Sequence, residues 1–332
     1  MNKSVSASAS RTLAGRAAWV TFAGAIVVQL SFALNGGSIP LTVASVILLT
    51  ATATLHAGSV GGWRFAFGAL GVVAVLTWAA EAIGIATGFP FGEYAYTGSL
   101  GPEIAGVSLL VLLAWLTLAY PSYVVANRLV GPGNGWRRAA RIGLAGFALT
   151  AWDVFLDPQM VEAGNWGWAN PEPSLPGTPG IPLTNYGGWL LTAVLIAWAL
   201  DALHGVARRR WGARALGDPG QQRADRVPYA VYLWTYGSCI LGNATFWERP
   251  SVALAGRAGG AAPPSGGARP GGRGGGRAER AVAPLVRPLM PEPFARRIVL
   301  HSIGRSLRGQ LAAIAVGGSL PRGGAVVAAN HG

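Results

Sequence analysis

The stretch IAGVSLLVLLAWLTLAYPSYVV, residues 104–125, carries no charge across 22 residues, and Arg128, Arg137, Arg138 and Arg141 follow it closely. As an α-helix it would be about 33 Å long, enough to cross a hydrocarbon core of about 30 Å. A soluble helix would leave one face polar, and this stretch has no polar face to leave. Comparable apolar runs fall at about 17–34, 39–57, 66–87, 139–156, 187–206 and 227–246. Several space Gly and Ala closely, as in Phe67-Gly68-Ala69-Leu70-Gly71, which suits helices packing against one another in lipid. The composition agrees. Of 332 residues, 51% are hydrophobic and 12% charged, with a mean hydropathy of +0.39, whereas soluble domains carry about 25% charged residues. The expected fold is therefore all-α, a polytopic bundle of seven transmembrane helices, or eight if a degraded span lies near 251–268.

The loops orient the bundle. Lys and Arg gather in cytoplasmic loops. Lys3, Arg11 and Arg16 precede the first run, and Arg64 lies between the second and third. The loop 126–141 holds four arginines, and 207–226 holds Arg208, Arg209, Arg210, Arg214, Arg223 and Arg226. The intervening loops 35–38, 88–103 and 157–186 hold no Lys or Arg. This alternation implies a multi-pass membrane protein with a cytoplasmic N-terminal tail, 1–16. The six further apolar runs favour an uncleaved first span over a signal peptide. The single cysteine, Cys239, excludes an internal disulfide and any cysteine-based zinc site.

The net charge of +13 belongs mostly to the end of the chain. Residues 255–280 are rich in Gly and Arg and almost free of apolar residues, the composition of a disordered linker. The linker is placed at 251–290. It has no aromatic residues among its arginines, so no nucleic-acid partner is expected. Beyond it, Phe294, Ile298, Ile303, Leu307, Leu311 and Ile314 recur at helical spacing with arginines between them, the pattern of a short amphipathic segment on a membrane surface.

Residues that could carry chemistry collect on the arginine-free side. Glu81 lies about 15 residues into its run, roughly 22 Å up a core of about 30 Å, and an ionisable group at that depth is a functional candidate. Asp153 and Asp157 are four apart, which puts both on one helix face, although Pro158 disfavours helical geometry at Asp157. Two close carboxylates in a low-dielectric setting repel, so the pair retains a proton, and a proton donor beside an anion suits acid–base chemistry. Phe89, Phe91, Tyr94, Tyr96, Trp152, Trp166, Trp168, Tyr186 and Trp189 surround these acids. Part of this set is an interfacial belt, but such rings beside an acid could also steady a cationic intermediate. On the other side, Asp201, His204 and Arg208 read as a structural ion pair and its neighbours, and His56 as an isolated structural residue at a helix end. No metal motif, phosphate loop or Ser-His-Asp signature occurs, and no cofactor is expected.

Taken in order, Glu81, Phe89-Pro-Phe-Gly-Glu-Tyr-Ala-Tyr96, Gly101-Pro102, Asp153-x3-Asp157-Pro-Gln-Met160, Trp166-Gly-Trp168 and Gly180-Ile-Pro-Leu-Thr-Asn-Tyr-Gly-Gly-Trp189 resemble the carotenoid biosynthesis membrane protein family of bacteria and archaea. The resemblance covers about residues 15–250. It implies a membrane-bound hydratase of isoprenoid metabolism, a lyase in class, acting on γ-carotene or bisanhydrobacterioruberin ends. Such an enzyme adds water across the terminal double bond of an acyclic carotenoid to give a tertiary alcohol. Asp153, Asp157 and Glu81 are then the catalytic candidates. Phe89, Phe91, Tyr94, Tyr96, Trp166, Trp168 and Trp189 would line the end-group pocket, and Asn185 would hold water. The partners would be the carotenoid in the bilayer and membrane lipid. The alternative is a non-catalytic carotenoid- or lipid-binding membrane protein. The stretch Leu320 to Gly332 resembles the opening of a glycerolipid acyltransferase domain, whose His-x4-Asp signature would be cut after His331, so 291–332 is expected to be a truncated, inactive fragment.

The arginine bias makes the topology testable. A reporter fused after Arg138 should sit in the cytoplasm and one fused near Trp166 outside. The reverse pattern would overturn the orientation.

Overall fold

A computed structural model describes residues 2–245, apart from Gly36 and residues 219–222. The linker, the acyltransferase-like fragment, the amphipathic segment and a span near 251–268 all lie outside the described residues. The helices are α1 (Asn2–Leu34), α2 (Ile39–Thr87), α3 (Leu109–Val130), α4 (Trp136–Glu162), α5 (Leu183–Arg210) and α6 (Arg226–Thr245). Among the described residues, five of these, α1 to α5, are long and apolar enough to cross a membrane. Large apolar side chains such as Val20, Phe67, Val75, Leu195 and Trp198 are exposed on them, an arrangement suited to lipid and unfavourable in water.

Helix α2 has 49 residues, about 73 Å if straight, but it is not straight. Gly62 has φ 75° and ψ 177°, a backbone state essentially confined to glycine. The side-chain contacts show a reversal there. Thr21 meets Thr52 at 2.8 Å and Gln29 donates to Ser45 at 2.9 Å, so α1 runs antiparallel to residues 39–61. Thr50 donates to the Leu113 carbonyl and His56 meets Tyr120, so α3 runs parallel to that arm. Trp115 stacks on Trp189 and Tyr123 reaches Asp201, so α5 runs parallel to α3. Phe65 packs on His204 at one end, while Gly84 and Gly188 both meet Phe91 at the other, so residues 63–87 run antiparallel to α5. The loop expected at 58–65 is thus a turn on one glycine with helix on both sides.

The remaining helices continue the alternation. Arg138 contacts Asp201 and Asp153 meets Asn185, which sets α4 antiparallel to α5. Tyr232 donates to the Ala148 carbonyl and Phe155 packs on Tyr236, which sets α6 parallel to α4. Helix α3 is the most enclosed, with Trp115, Leu116, Leu118, Tyr120, Tyr123 and Val124 buried. Local signals fix its start and the ends of α2. Ser38 caps the start of α2 through Leu41 N, Gly88 ends α2 at φ 75°, and Ser108 caps α3 through Leu110 N.

Four expectations need correction. The described chain is not purely helical. On the arginine-free end, β1 (Tyr94–Tyr96) pairs antiparallel with β4 (Trp166–Trp168), and β2 (Glu103–Ile104) pairs with β3 (Val107–Ser108). Backbone leaving the helix ends must satisfy its N–H and C=O groups, and these short ladders do so. Helix α4 passes through Pro158 to Glu162, because losing one backbone N–H is tolerated where the flanking turns are packed. Asp201 pairs with Arg138 (2.6 Å) and Arg141 (3.6 Å) from α4 rather than with Arg208 on its own helix. His204 bonds the Arg214 carbonyl and Tyr123 instead. His56, too, is fully buried between Tyr120 and the Ala224 carbonyl, beside an Arg214–Asp225 pair of 2.5 Å.

The α4–α5 crossing relies on a missing side chain. A Cβ on Gly146 would lie 2.5 Å from Val194 Cγ2 and 3.1 Å from its backbone N. Gly146→Leu should therefore force the helices apart and cost stability by about 1–3 kcal/mol. Gly143→Leu, whose Cβ meets nothing within 4 Å, should leave stability near wild type. Thermal unfolding in detergent reads both, and equal midpoints would contradict the close crossing.

Candidate functional site

Asp153 and Asp157 are buried side by side on α4, at 0% and 1% exposure. Burying two carboxylates requires hydrogen-bond donors, and α5 supplies one from its first turn. Asn185, itself buried, donates its amide nitrogen to Asp153 Oδ2 (3.1 Å) and also to Asp157 Oδ2. Its position in that turn places the pair near the positive end of the helix dipole. Asp157 Oδ1 accepts a further bond from Trp166 Nε1 at 3.2 Å. The two carboxyl groups also meet one another, and among the described residues no other donor reaches the buried Asp153 Oδ1.

Glu81 forms the second acidic station, on the 63–87 arm and buried. Alternate residues of a strand share a face, so Tyr94 and Tyr96 of β1 both aim their phenols at it. Tyr94 and Tyr96 each donate to Glu81 Oε2, the latter at 2.9 Å. Burial first, and then the nearby Glu81 carboxylate, push both phenols well above the ordinary tyrosine range. They therefore act as donors at any physiological pH.

The β1–β4 ladder joins the two stations. Its register sets Tyr94 opposite Trp168 and Tyr96 opposite Trp166, and the ring centroids lie 6.0 and 5.7 Å apart. One strand thus holds Glu81 while the other holds Asp157. Trp168 Nε1 bonds the Phe91 carbonyl at 2.9 Å, which ties the ladder to the loop after α2. Gly188 leaves room for that loop, since a Cβ there would stand 2.6 Å from the Phe91 ring and 2.7 Å from the Pro90 carbonyl.

Beneath the ladder lies a cavity of about 450 Å³. Glu81, Asp157, Asn185, Phe91, Tyr94, Tyr96, Trp166, Trp168 and Trp189 all line it. Of the acids and aromatic residues singled out around the site, three stand apart, and Tyr186 is one of them, donating to Thr178 away from the cavity. Asp153 sits behind the wall, connected to it through Asn185, and Phe89 is 63% exposed and off the cavity. Sequence reasoning missed Trp115 and Gln29, both on the wall. Trp115 stacks on Trp189 with ring centroids 4.1 Å apart. The available signal was a tryptophan well inside an apolar run rather than at its interfacial end, and a lone glutamine within another. Among the described residues, no group of three or more His, Cys, Asp or Glu is placed to hold a metal ion. The site offers two buried carboxyl stations, each anchored by its own donors, facing an apolar space walled by aromatic rings.

Comparison with known proteins assigns the family. The family model described as carotenoid biosynthesis protein matches residues 41–255. The bisanhydrobacterioruberin hydratase of Haloarcula japonica is 29% identical over 134 residues, 40% of this chain and 44% of that protein. The chain thus aligns with less than half of that relative's length. No solved structure matches. The described helices and the family match together identify a membrane protein of carotenoid biosynthesis, and the chain belongs to the carotenoid biosynthesis protein family.

Proposed function

We propose that the protein is a carotenoid hydratase, a hydro-lyase that adds water across the terminal double bond of an acyclic carotenoid end group. The observation that carries this reading is that Asp157 and Glu81, held by different donors, face one apolar, aromatic-walled cavity. The hydratase of Haloarcula japonica, to which the chain is similar, supports the same class of reaction.

The chemistry assigns a role to each group. Asp157 gives its proton to the less substituted alkene carbon, leaving a tertiary cation on the other. The π faces of Tyr94, Tyr96, Trp166 and Trp168 stabilise that cation. Water adds to it, and its surplus proton passes to Glu81, which the two phenols hold as a fixed acceptor. A proton returned from Glu81 to Asp157 through solvent closes the cycle, with one water consumed per double bond. Asp153 orients Asn185, and through it Asp157. The described helices, with α2 counted as two arms and α6 added, would cross the bilayer seven times with the N-terminus inside, which puts this site at the external interface. All of these groups fall within residues 17–250, so 251–332 is assigned no part in the chemistry.

The rival reading is a carotenoid- or lipid-binding protein without catalysis. It draws on the donors at each carboxylate, which a purely structural network would also have. Mutation separates the two. In cells making an acyclic carotenoid, at matched protein level, the readout is the fraction of pigment that gains the mass of one water. Asp157→Asn and Asp153→Asn should each lower hydration by about 10²-fold or more, and the double variant should be little worse than the worse single one, as for groups acting together. Glu81→Gln should also be severely impaired. Full activity in both Asp157→Asn and Glu81→Gln would remove the acid–base assignment. A wild-type protein that retains pigment unchanged in mass would establish the binding reading.

A further inference from the structure

An acyclic carotenoid is about as long as the hydrocarbon core, ~30 Å, whereas the cavity of about 450 Å³ has the capacity of a site for a drug-sized ligand. The cavity can take an end group and a short length of chain, so most of the polyene must leave it. Two directions are closed. Toward the arginine-free end stands the β1–β4 ladder with Phe91, which is 2% exposed. Toward the arginine-rich end the bundle is filled by Phe65, Tyr120, Tyr123, Leu200 and His56, all at 1% exposure or less.

The sides of the cavity differ from one another. Its wall includes residues from α1, both arms of α2, α3, α4, α5 and α6, and nearly all of them are buried or half-buried. The exposed ones are Leu30 on α1 and Leu233, Gly237 and Leu241 on α6. Leu30 is 49%, Leu233 71% and Leu241 49% exposed while also lining the cavity. A residue that touches both the interior and the outer surface marks an opening, and these four lie only on α1 and α6. The two helices are tied at one edge of that opening, where Trp234 Nε1 donates to Gln29 Oε1 at 2.7 Å and Gln29 donates in turn to Ser45.

Resting on the hydratase reading for the identity of the substrate, we propose that the gap between α1 and α6 is a lateral portal through which the carotenoid passes from the bilayer. The end group reaches Asp157 and Glu81, while the remaining polyene lies across Leu30, Leu233 and Leu241 and out among the lipid chains. The portal needs no aqueous route, because a hydrocarbon moves from lipid to an apolar wall without crossing water. The cut between α1 and α6 also lets one site accept substrates that differ only at the far end, since that end stays in the membrane.

Gly237 gives the test. A Cβ there meets nothing within 4 Å, so Gly237→Leu adds bulk to the opening without displacing protein. Gly71→Leu is the control, on an exposed glycine with equally open space away from the cavity. The full chain in lipid nanodiscs is offered a long acyclic carotenoid and a short acyclic terpene with the same isopropylidene end, and hydration of each is measured. Pigment retained by the protein purified from carotenoid-making membranes is measured in parallel. Gly237→Leu should lower the long-to-short ratio of hydration, and the retained pigment, several-fold. Gly71→Leu should change neither. Unchanged ratio and retention in Gly237→Leu would overturn the portal and leave the opening to a lipid acyl chain. If the wild type hydrates neither substrate, the hydratase reading fails, and pigment retention alone then decides the portal.

Discussion

The amide of Asn185 is the contact on which the arrangement of the site depends. Two carboxylates buried on one face of α4 repel each other and lose the solvation water gave them. A single NH2 group donating to both offsets part of that cost and fixes their spacing. It can do so only because α5 begins where it does, and because Gly146 lets α4 and α5 approach at Val194. The same closeness that permits the bridge sets Asp157 at the cavity wall and Asp153 behind it. Glu81 is held by an independent device, the phenols of β1, so the two stations are positioned separately and then joined by the β1–β4 ladder.

The two ends of the bundle have different characters. At the arginine-rich end, Arg138 and Arg141 meet Asp201, and Arg214 meets Asp225 beside His56. Asp201 and Asp225 each have a cation, and the bundle above is tightly filled. At the arginine-free end Glu81 and Asp157 are held by neutral donors, from Tyr, Asn and Trp, and they face open volume. Carboxylates partnered by neutral groups beside open volume are placed to meet a bound molecule, whereas those paired with arginine are occupied in holding helices together. The contrast explains why three acids of similar depth in the sequence divide into one structural residue, Asp201, and the site-forming Asp157 and Glu81.

Much of this was legible in the sequence. Runs without charge located the helices, the i, i+4 spacing of Asp153 and Asp157 put them on one face, and the aromatic clusters around Tyr94, Trp166 and Trp189 marked the cavity wall. The failures have physical causes. The reversal at Gly62 falls inside the break expected between runs 39–57 and 66–87, but a positive φ at one glycine needs no polar loop, so the continuation of helix right up to Gly62 on both sides left no trace. The partner of Asp201 comes from 63 residues away, and local spacing cannot rank Arg138 above Arg208. The pairing of Tyr94–Tyr96 with Trp166–Trp168 is equally non-local, since three-residue strands carry no periodicity to match. Phe89 has the same composition cues as Phe91, and only the packing beside Gly84 and Gly188 turns one inward and leaves the other exposed.

The central claim is that this cavity adds the elements of water to a carbon–carbon double bond. Purified protein in lipid nanodiscs, supplied with an acyclic carotenoid in water enriched in heavy oxygen, tests it directly by mass spectrometry of the pigment. Hydration predicts a product heavier by one heavy-oxygen water, with the label in a tertiary hydroxyl and no requirement for molecular oxygen. Pigment recovered unchanged in mass, or a hydroxyl whose oxygen comes from molecular oxygen rather than from water, would contradict it.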